Sequence, residues 1–105
     1  MKIWVDDIRT SPDNTWTWIK SVRQFNKGGR TNVILGNVSV ISLDHDAGEY
    51  YKDGGDYMKI IDWMDAYFHD KSSERVPKLI LHTQNPVAKE RMQQVIMKNG
   101  WDKRV

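Results

Sequence analysis

The chain has 105 residues and no cysteine, so one domain is the expectation and disulfides and thiolate metal sites are excluded. Hydrophobic residues at 39% and charged ones at 29% fit a soluble globular protein rather than a disordered chain, and no apolar run approaches the ~20 residues of a membrane span. The net charge of +2 is too small to signal bulk nucleic-acid binding, which shows as a concentrated basic stripe.

The opening MKIWVDD reaches acid by residue 6 without an apolar h-region, so it does not read as a secretory signal. Together with the missing cysteine, this makes a cytoplasmic location the expectation. Lys2 to Val5 is a short β-rich run that ends at Asp6-Asp7 and reads as a first strand. Ser11-Pro12-Asp13-Asn14 is turn chemistry. Thr15 to Ile19 then alternates and predicts a second strand, with Trp16 and Trp18 on one face and Thr15 and Thr17 on the other. Ser21 with Gln24 three residues on is a capping-box pattern and starts a helix, which Gly28-Gly29 should weaken or end. Residues 31–37 fit a helix end or a strand.

Val38 to Leu43 is the clearest strand, apolar and β-branched, and it stops at Asp44-His45-Asp46. A polar loop with Gly48, Gly54 and Gly55 follows. Asp56 reads as the N-cap of an amphipathic helix over 57–69, since Tyr57, Ile60, Ile61, Met64 and Phe68 recur at helical spacing. Lys71 to Arg75 is a polar linker and Pro77 to Thr83 a further strand. Asn85-Pro86 starts a last helix, with Asn as N-cap and Pro at the first helical position. That helix turns Met92, Val95 and Ile96 inward and ends near Gly100. The tail WDKRV is a candidate last strand.

Strands alternating with helices predict an α/β fold with a mainly parallel sheet, and in such sheets ligands bind beyond the carboxyl ends of the strands. Three of those ends carry nearly all the reactive residues: Asp6-Asp7, Asp44-His45-Asp46, and His82-Thr83 followed by Asn85. In a parallel sheet they share one edge. Carboxylates held close repel one another unless a cation sits between them, and oxygen ligands suit Mg²⁺ or Mn²⁺. Asp6, Asp7, Asp44 and Asp46 are therefore the candidate metal ligands, and Asp44, His45 and His82 the candidate catalytic groups, imidazole being poised for proton transfer near neutral pH. Arg9, Thr83, Asn85, Lys89 and Arg91 are the candidate substrate-binding residues. The free N–H groups expected at Val87, Ala88 and Lys89 would suit an anion. Asp53, Asp56 and Asp62 read as solvated or capping groups, His69 as a partner of a helix end, and Tyr50 and Tyr51 as packing. Five Trp residues point first to packing and second to base stacking.

The segments WVDDIRTSP (4–12), WTWIKS (16–21), ISLDHDAG (41–48) and HTQNPVAKERM (82–92) resemble, in order, the cyclic-phosphate-processing receiver-like domain, a compact relative of response-regulator receivers. The resemblance implies a receiver-like (flavodoxin-like) fold with few helices, and processing of nucleotides that carry a cyclic phosphate, in nucleotide-signalled defence. It sets Asp6 and Asp7 at the acidic pair, Asp44, His45 and Asp46 at the central motif, and His82, Thr83 and Asn85 at the later one. Three functions follow as expectations. The first is a metal-dependent phosphoesterase acting on a cyclic phosphate or a cyclic nucleotide. The second is a module that captures the same small ligand without cleaving it. The third is a receiver phosphorylated on Asp44.

Overall fold

The computed structural model describes residues 1–69 and 76–103, so the linker expected over Lys71 to Arg75 lies outside the described residues. The strands are β1 (Lys2–Val5), β2 (Trp16–Ile19), β3 (Val40–Leu43) and β4 (Lys78–Leu81). Every pairing is parallel, in the order β2-β1-β3-β4. The fold is receiver-like α/β, and its carboxyl strand ends share one edge as the alternation of elements requires.

Between β2 and β3 the chain is helical from residue 22 to residue 34. α1 (Val22–Gln24) passes through a π-helical turn (Phe25–Gly29) into α2 (Arg30–Ile34). Ser21 caps it by accepting the Gln24 N–H at 3.0 Å, and the Gln24 side chain reaches back to the Lys20 N–H at 2.8 Å. Gly28-Gly29 does not end this helix. Both glycines are built into the π turn, where the missing Cβ of Gly29 lets the buried Phe25 ring lie against the backbone. Residues 31–34 accordingly finish a helix rather than form a strand.

α3 (Met58–Tyr67) and α4 (Pro86–Lys98) follow β3 and β4. Asp56 does not cap α3. Its Oδ1 turns back to accept the Ala47 N–H at 3.2 Å, and Tyr57 occupies the N-cap position without a side-chain bond. The tail is not a strand over its described part, since Trp101–Lys103 forms a 3₁₀ turn and Trp101 is buried beside Phe68. No helix among the described residues is long and apolar enough to cross a membrane.

Topology decides which face of the sheet is covered. The steps β2 to β3 and β3 to β4 move the same way across the sheet, and right-handed crossovers put their helices on one face. That face is the core: Ile3, Val5, Ile19, Ile41 and Leu43 meet Phe25, Val33, Ile60, Met64, Met92 and Ile96 there. The step β1 to β2 runs the other way, and residues 6–15 make it as a loop without a helix. The second face therefore carries Trp4, Trp18, Ser42 and Ile80 in one cross-strand row, with no helix over it among the described residues.

The two adjacent glycines give a discriminating test. An added Cβ at Gly29 would stand 2.6 Å from the Phe25 ring, whereas nothing lies within 4 Å at Gly28. Gly29→Ala is expected to lower the melting temperature by several degrees. Gly28→Ala should raise it by a few, because Ala exceeds Gly by up to ~1 kcal/mol in a helix interior. Thermal melts in which both variants shift alike would contradict this packing.

Candidate functional site

Each acidic strand end is shaped by its own backbone. Where β1 stops, Asp6 is 1% exposed and folds its side chain over the next turn, so that Oδ1 accepts the N–H groups of Ile8 and Arg9, both at 2.9 Å. The Asp6 carbonyl accepts the Trp18 indole N–H at 2.7 Å, tying the turn to β2. Where β3 stops, the Asp44 N–H continues the ladder to the Val5 carbonyl, and Asp44 Oδ1 accepts the His45 N–H at 2.7 Å. Where β4 stops, His82 N–H bonds the Leu43 carbonyl at 2.9 Å, and the ring lies back across the open sheet face.

His82 is held on three sides. Its Nε2 lies 2.9 Å from Asp6 Oδ2, its Nδ1 2.8 Å from Ser42 Oγ, and its ring stacks on Trp4 at 4.0 Å and 3°. Burial lowers the His82 pKa despite the pull of Asp6, so the neutral ring prevails. A neutral ring bonded this way donates Nε2–H to Asp6 and accepts the Ser42 hydroxyl at Nδ1. Burial acts on Asp6 in the raising direction, but the bonds from Ile8, Arg9 and His82 outweigh it and hold the carboxyl below its ordinary value. Asp6 is thus a fixed anion.

One oxygen from each of Asp6, Asp7 and Asp44 lies within 4.8 Å of the others. Asp7 bears the strain of this grouping. Burial raises its pKa first, and the charges of Asp6 and Asp44 raise it further. Gly48 makes the approach possible: at φ +56° its absent Cβ would stand 2.2 Å from Asp7 Oδ2. Arg9 supplies nearby positive charge, with Nε 3.6 Å from Asp6 Oδ2 and a terminal nitrogen 3.9 Å from Asp44 Oδ2. Three carboxylate oxygens this close fit a hard divalent cation, and the raised Asp7 is the group that such a cation would relieve. Asp6 contributes least, because its oxygens already accept four donors or charges.

Of the four candidate metal ligands, Asp46 stands apart. Its carboxylate is 62% exposed and bonds His45 Nδ1 at 2.7 Å, and it forms a second group with His45 and Asp56. Among the described contacts, His45 Nε2 has no hydrogen-bond partner, whereas both His82 nitrogens are engaged inside the protein.

The expected anion site at α4 is largely spent on the helix itself. Asn85 Oδ1 accepts the Ala88 N–H at 3.1 Å, the Asn85 carbonyl accepts that of Lys89, and buried Thr83 accepts the Asn85 N–H through Oγ1 at 3.2 Å. Thr83 and Asn85 are therefore cap residues in this arrangement. Lys89 lies with Glu90 and Gln93 on the outer side of α4, and Arg91 lines a groove toward α3 beside Met58 and Asp62. No described contact joins either cation to the acidic cluster. Sequence reasoning missed Ser42 and Trp4, which carried no polar-cluster signal inside their strands. Their two-residue alternation with Asp44 and Asp6 could have found them.

Two outcomes test this geometry. Gly48→Ala should lower stability and displace Asp7, read as a fall in melting temperature of several degrees that Asp7→Ala partly rescues. His82 binds a proton more weakly folded than unfolded, so its contribution to stability is complete above the ordinary value of about 6.5 and lost as pH falls below it. The melting temperature should drop from pH 7 to pH 5.5 with a slope that flattens in His82→Gln. An equal slope in that variant would contradict the assignment.

No curated protein and no solved structure matches the chain. The sequence model of the cyclic-phosphate processing receiver domain matches residues 1–98. That span runs from β1 to the end of α4 and includes every residue of the cluster, so the protein belongs to the cyclic-phosphate processing receiver domain family.

Proposed function

We propose that the protein is a metal-dependent phosphoesterase that opens a cyclic phosphate on a nucleotide or oligonucleotide. The observation that carries this reading is the carboxylate group of Asp6, Asp7 and Asp44, with Asp7 raised by burial and by the charges of its neighbours. Asp7 and Asp44 would hold a divalent cation such as Mg²⁺ or Mn²⁺, which supplies charge against the phosphate and a more acidic water. Asp6 orients the turn that carries Asp7 and Arg9. Arg9 balances phosphate charge from the edge of the cluster. His45 serves the proton transfer through Nε2, with Asp46 fixing its ring from Nδ1. Water oxygen forms one bond to phosphorus, one ring P–O bond breaks, and the leaving oxygen takes a proton. His82 is a positioning residue in this scheme, since it reaches the ligand only through Asp6. A role in nucleotide-signalled defence would follow from the substrate and rests on the family alone.

The alternative is a module that captures the same ligand intact. Arg9 favours it, because a guanidinium between Asp6 and Asp44 already occupies part of the space where a cation would act.

The test is product analysis by mass spectrometry. The protein is incubated with 2′,3′-cyclic, 3′,5′-cyclic and oligomeric cyclic nucleotides, with Mg²⁺, Mn²⁺ or EDTA. The expected result is the gain of one water on one substrate, lost with EDTA and lost in a folded Asp44→Asn variant. Full activity in Asp44→Asn would sink the residue assignment, and every ligand returned intact would favour capture.

A further inference from the structure

The sheet face opposite the helices has a composition of its own. Trp16 and Trp18 stand half-buried on the edge strand β2, Ile80 on β4 is 41% exposed, and Lys2 and Lys78 occupy the same face of their strands. Lys20 continues the alternation just past β2. The lysines are not scattered. Lys2 Nζ lies 4.7 Å from the centroid of the Trp16 ring, and Lys20 Nζ lies 4.4 Å from that of Trp18. None of the strand positions on this face holds an acid. Asp13 lies close enough to Lys2 to feel its charge, and bonds from Thr15 turn its carboxylate into the loop. A protein-docking face of this size would be apolar at its centre with charge at its rim. Here ammonium groups sit directly on the aromatic rings.

We infer that this open sheet face binds single-stranded nucleic acid, with Trp16 and Trp18 stacking bases and Lys2, Lys20 and Lys78 meeting phosphates. Aromatic rings accept any base, and a flexible ammonium that lies over a ring can move aside to meet a phosphate as the base stacks. The net charge of +2 conceals the surface because the acids lie off these strand positions, in the loops, on the helices and at the carboxyl strand ends, where Lys20 follows Ile19. The inference is independent of any reaction at Asp44, so a strand with an ordinary 3′-hydroxyl end is a sufficient ligand. At its carboxyl edge the face meets the Trp4–His82 stack, so a bound strand would lie next to the acidic cluster.

The test is a fluorescence titration of the full chain with a single-stranded RNA about 12 nucleotides long that ends in a 3′-hydroxyl. Saturable quenching of Trp emission is expected. Neutralising three phosphates should weaken binding roughly 10- to 20-fold between about 50 and 200 mM salt. The triple variant K2E/K20E/K78E should lose at least about tenfold, and Trp16→Leu should bind more weakly while its circular dichroism matches the wild type. Lys27→Glu, a charge reversal in the helical segment on the covered face, should bind like the wild type, which separates this surface from net charge. The inference is overturned by an absence of saturable binding, by undiminished affinity in the folded lysine variant, or by equal affinity for a polyanion without bases such as heparin.

Discussion

The hydrogen bond between the Asp6 carboxylate and the His82 ring joins the ends of β1 and β4 across β3, which lies between them in the sheet. Ser42, on the intervening strand, holds the other ring nitrogen, and Trp4 supports the ring from its flat side. The bond can persist because burial keeps His82 neutral while the bonds from Ile8, Arg9 and His82 itself keep Asp6 charged. With Asp6 fixed in this way, the following residue is committed. Asp7 has to sit against Gly48 and near Asp44, and the resulting repulsion is the chemical property of the site. A half-satisfied network of this kind would be costly at low dielectric. Here the half that is satisfied, Asp6 with His82 and Ser42, orders the half that is not.

One-sided coverage is the second constraint, and it follows from strand order. Two crossovers in one direction place α1, α2 and α3 on the core face, α4 joins them there through Met92 and Ile96, and the return step from β1 to β2 is a loop. The uncovered face could not be built from an aliphatic row, which would leave a large apolar patch. Tryptophans with lysines on their rings solve this, because the ring buries area against its neighbour while the ammonium stays in water. The same arrangement carries Trp4 into the site, so the open face and the acidic edge share a residue.

Much of this was legible in the sequence, for reasons that can be named. Strand and helix positions followed from β-branched runs, the Ser21 and Asn85 caps, and the helical recurrence of Ile60, Ile61 and Met64. The convergence of Asp6, Asp7, Asp44 and His82 followed from parallel pairing alone. What could not be read depended on the side-chain contacts that the folded chain selects. Gly28-Gly29 has the composition of a helix end, and only the Phe25 ring explains why a glycine stands at position 29 inside the helix. Asp56 has the position of an N-cap, and only the Ala47 N–H explains its reversal. Asp46 neighbours Asp44 in sequence, yet the chain turns after Asp44 and gives Asp46 to His45 and Asp56. Lys89 and Arg91 lie near a helix start by number, and the helical period sends them to other sides.

The most direct test of the account is calorimetric titration of Mn²⁺ into the wild-type protein and into Asp7→Asn at neutral pH. Asparagine keeps the shape that fits against Gly48 and removes the charge that Asp6 and Asp44 repel. One ion should bind per wild-type chain, with affinity lower by at least about tenfold in Asp7→Asn and the variant melting a few degrees higher in the absence of metal. Equal affinity in the two proteins, or no binding to the wild type, would contradict the claim that these carboxylates form a cation site.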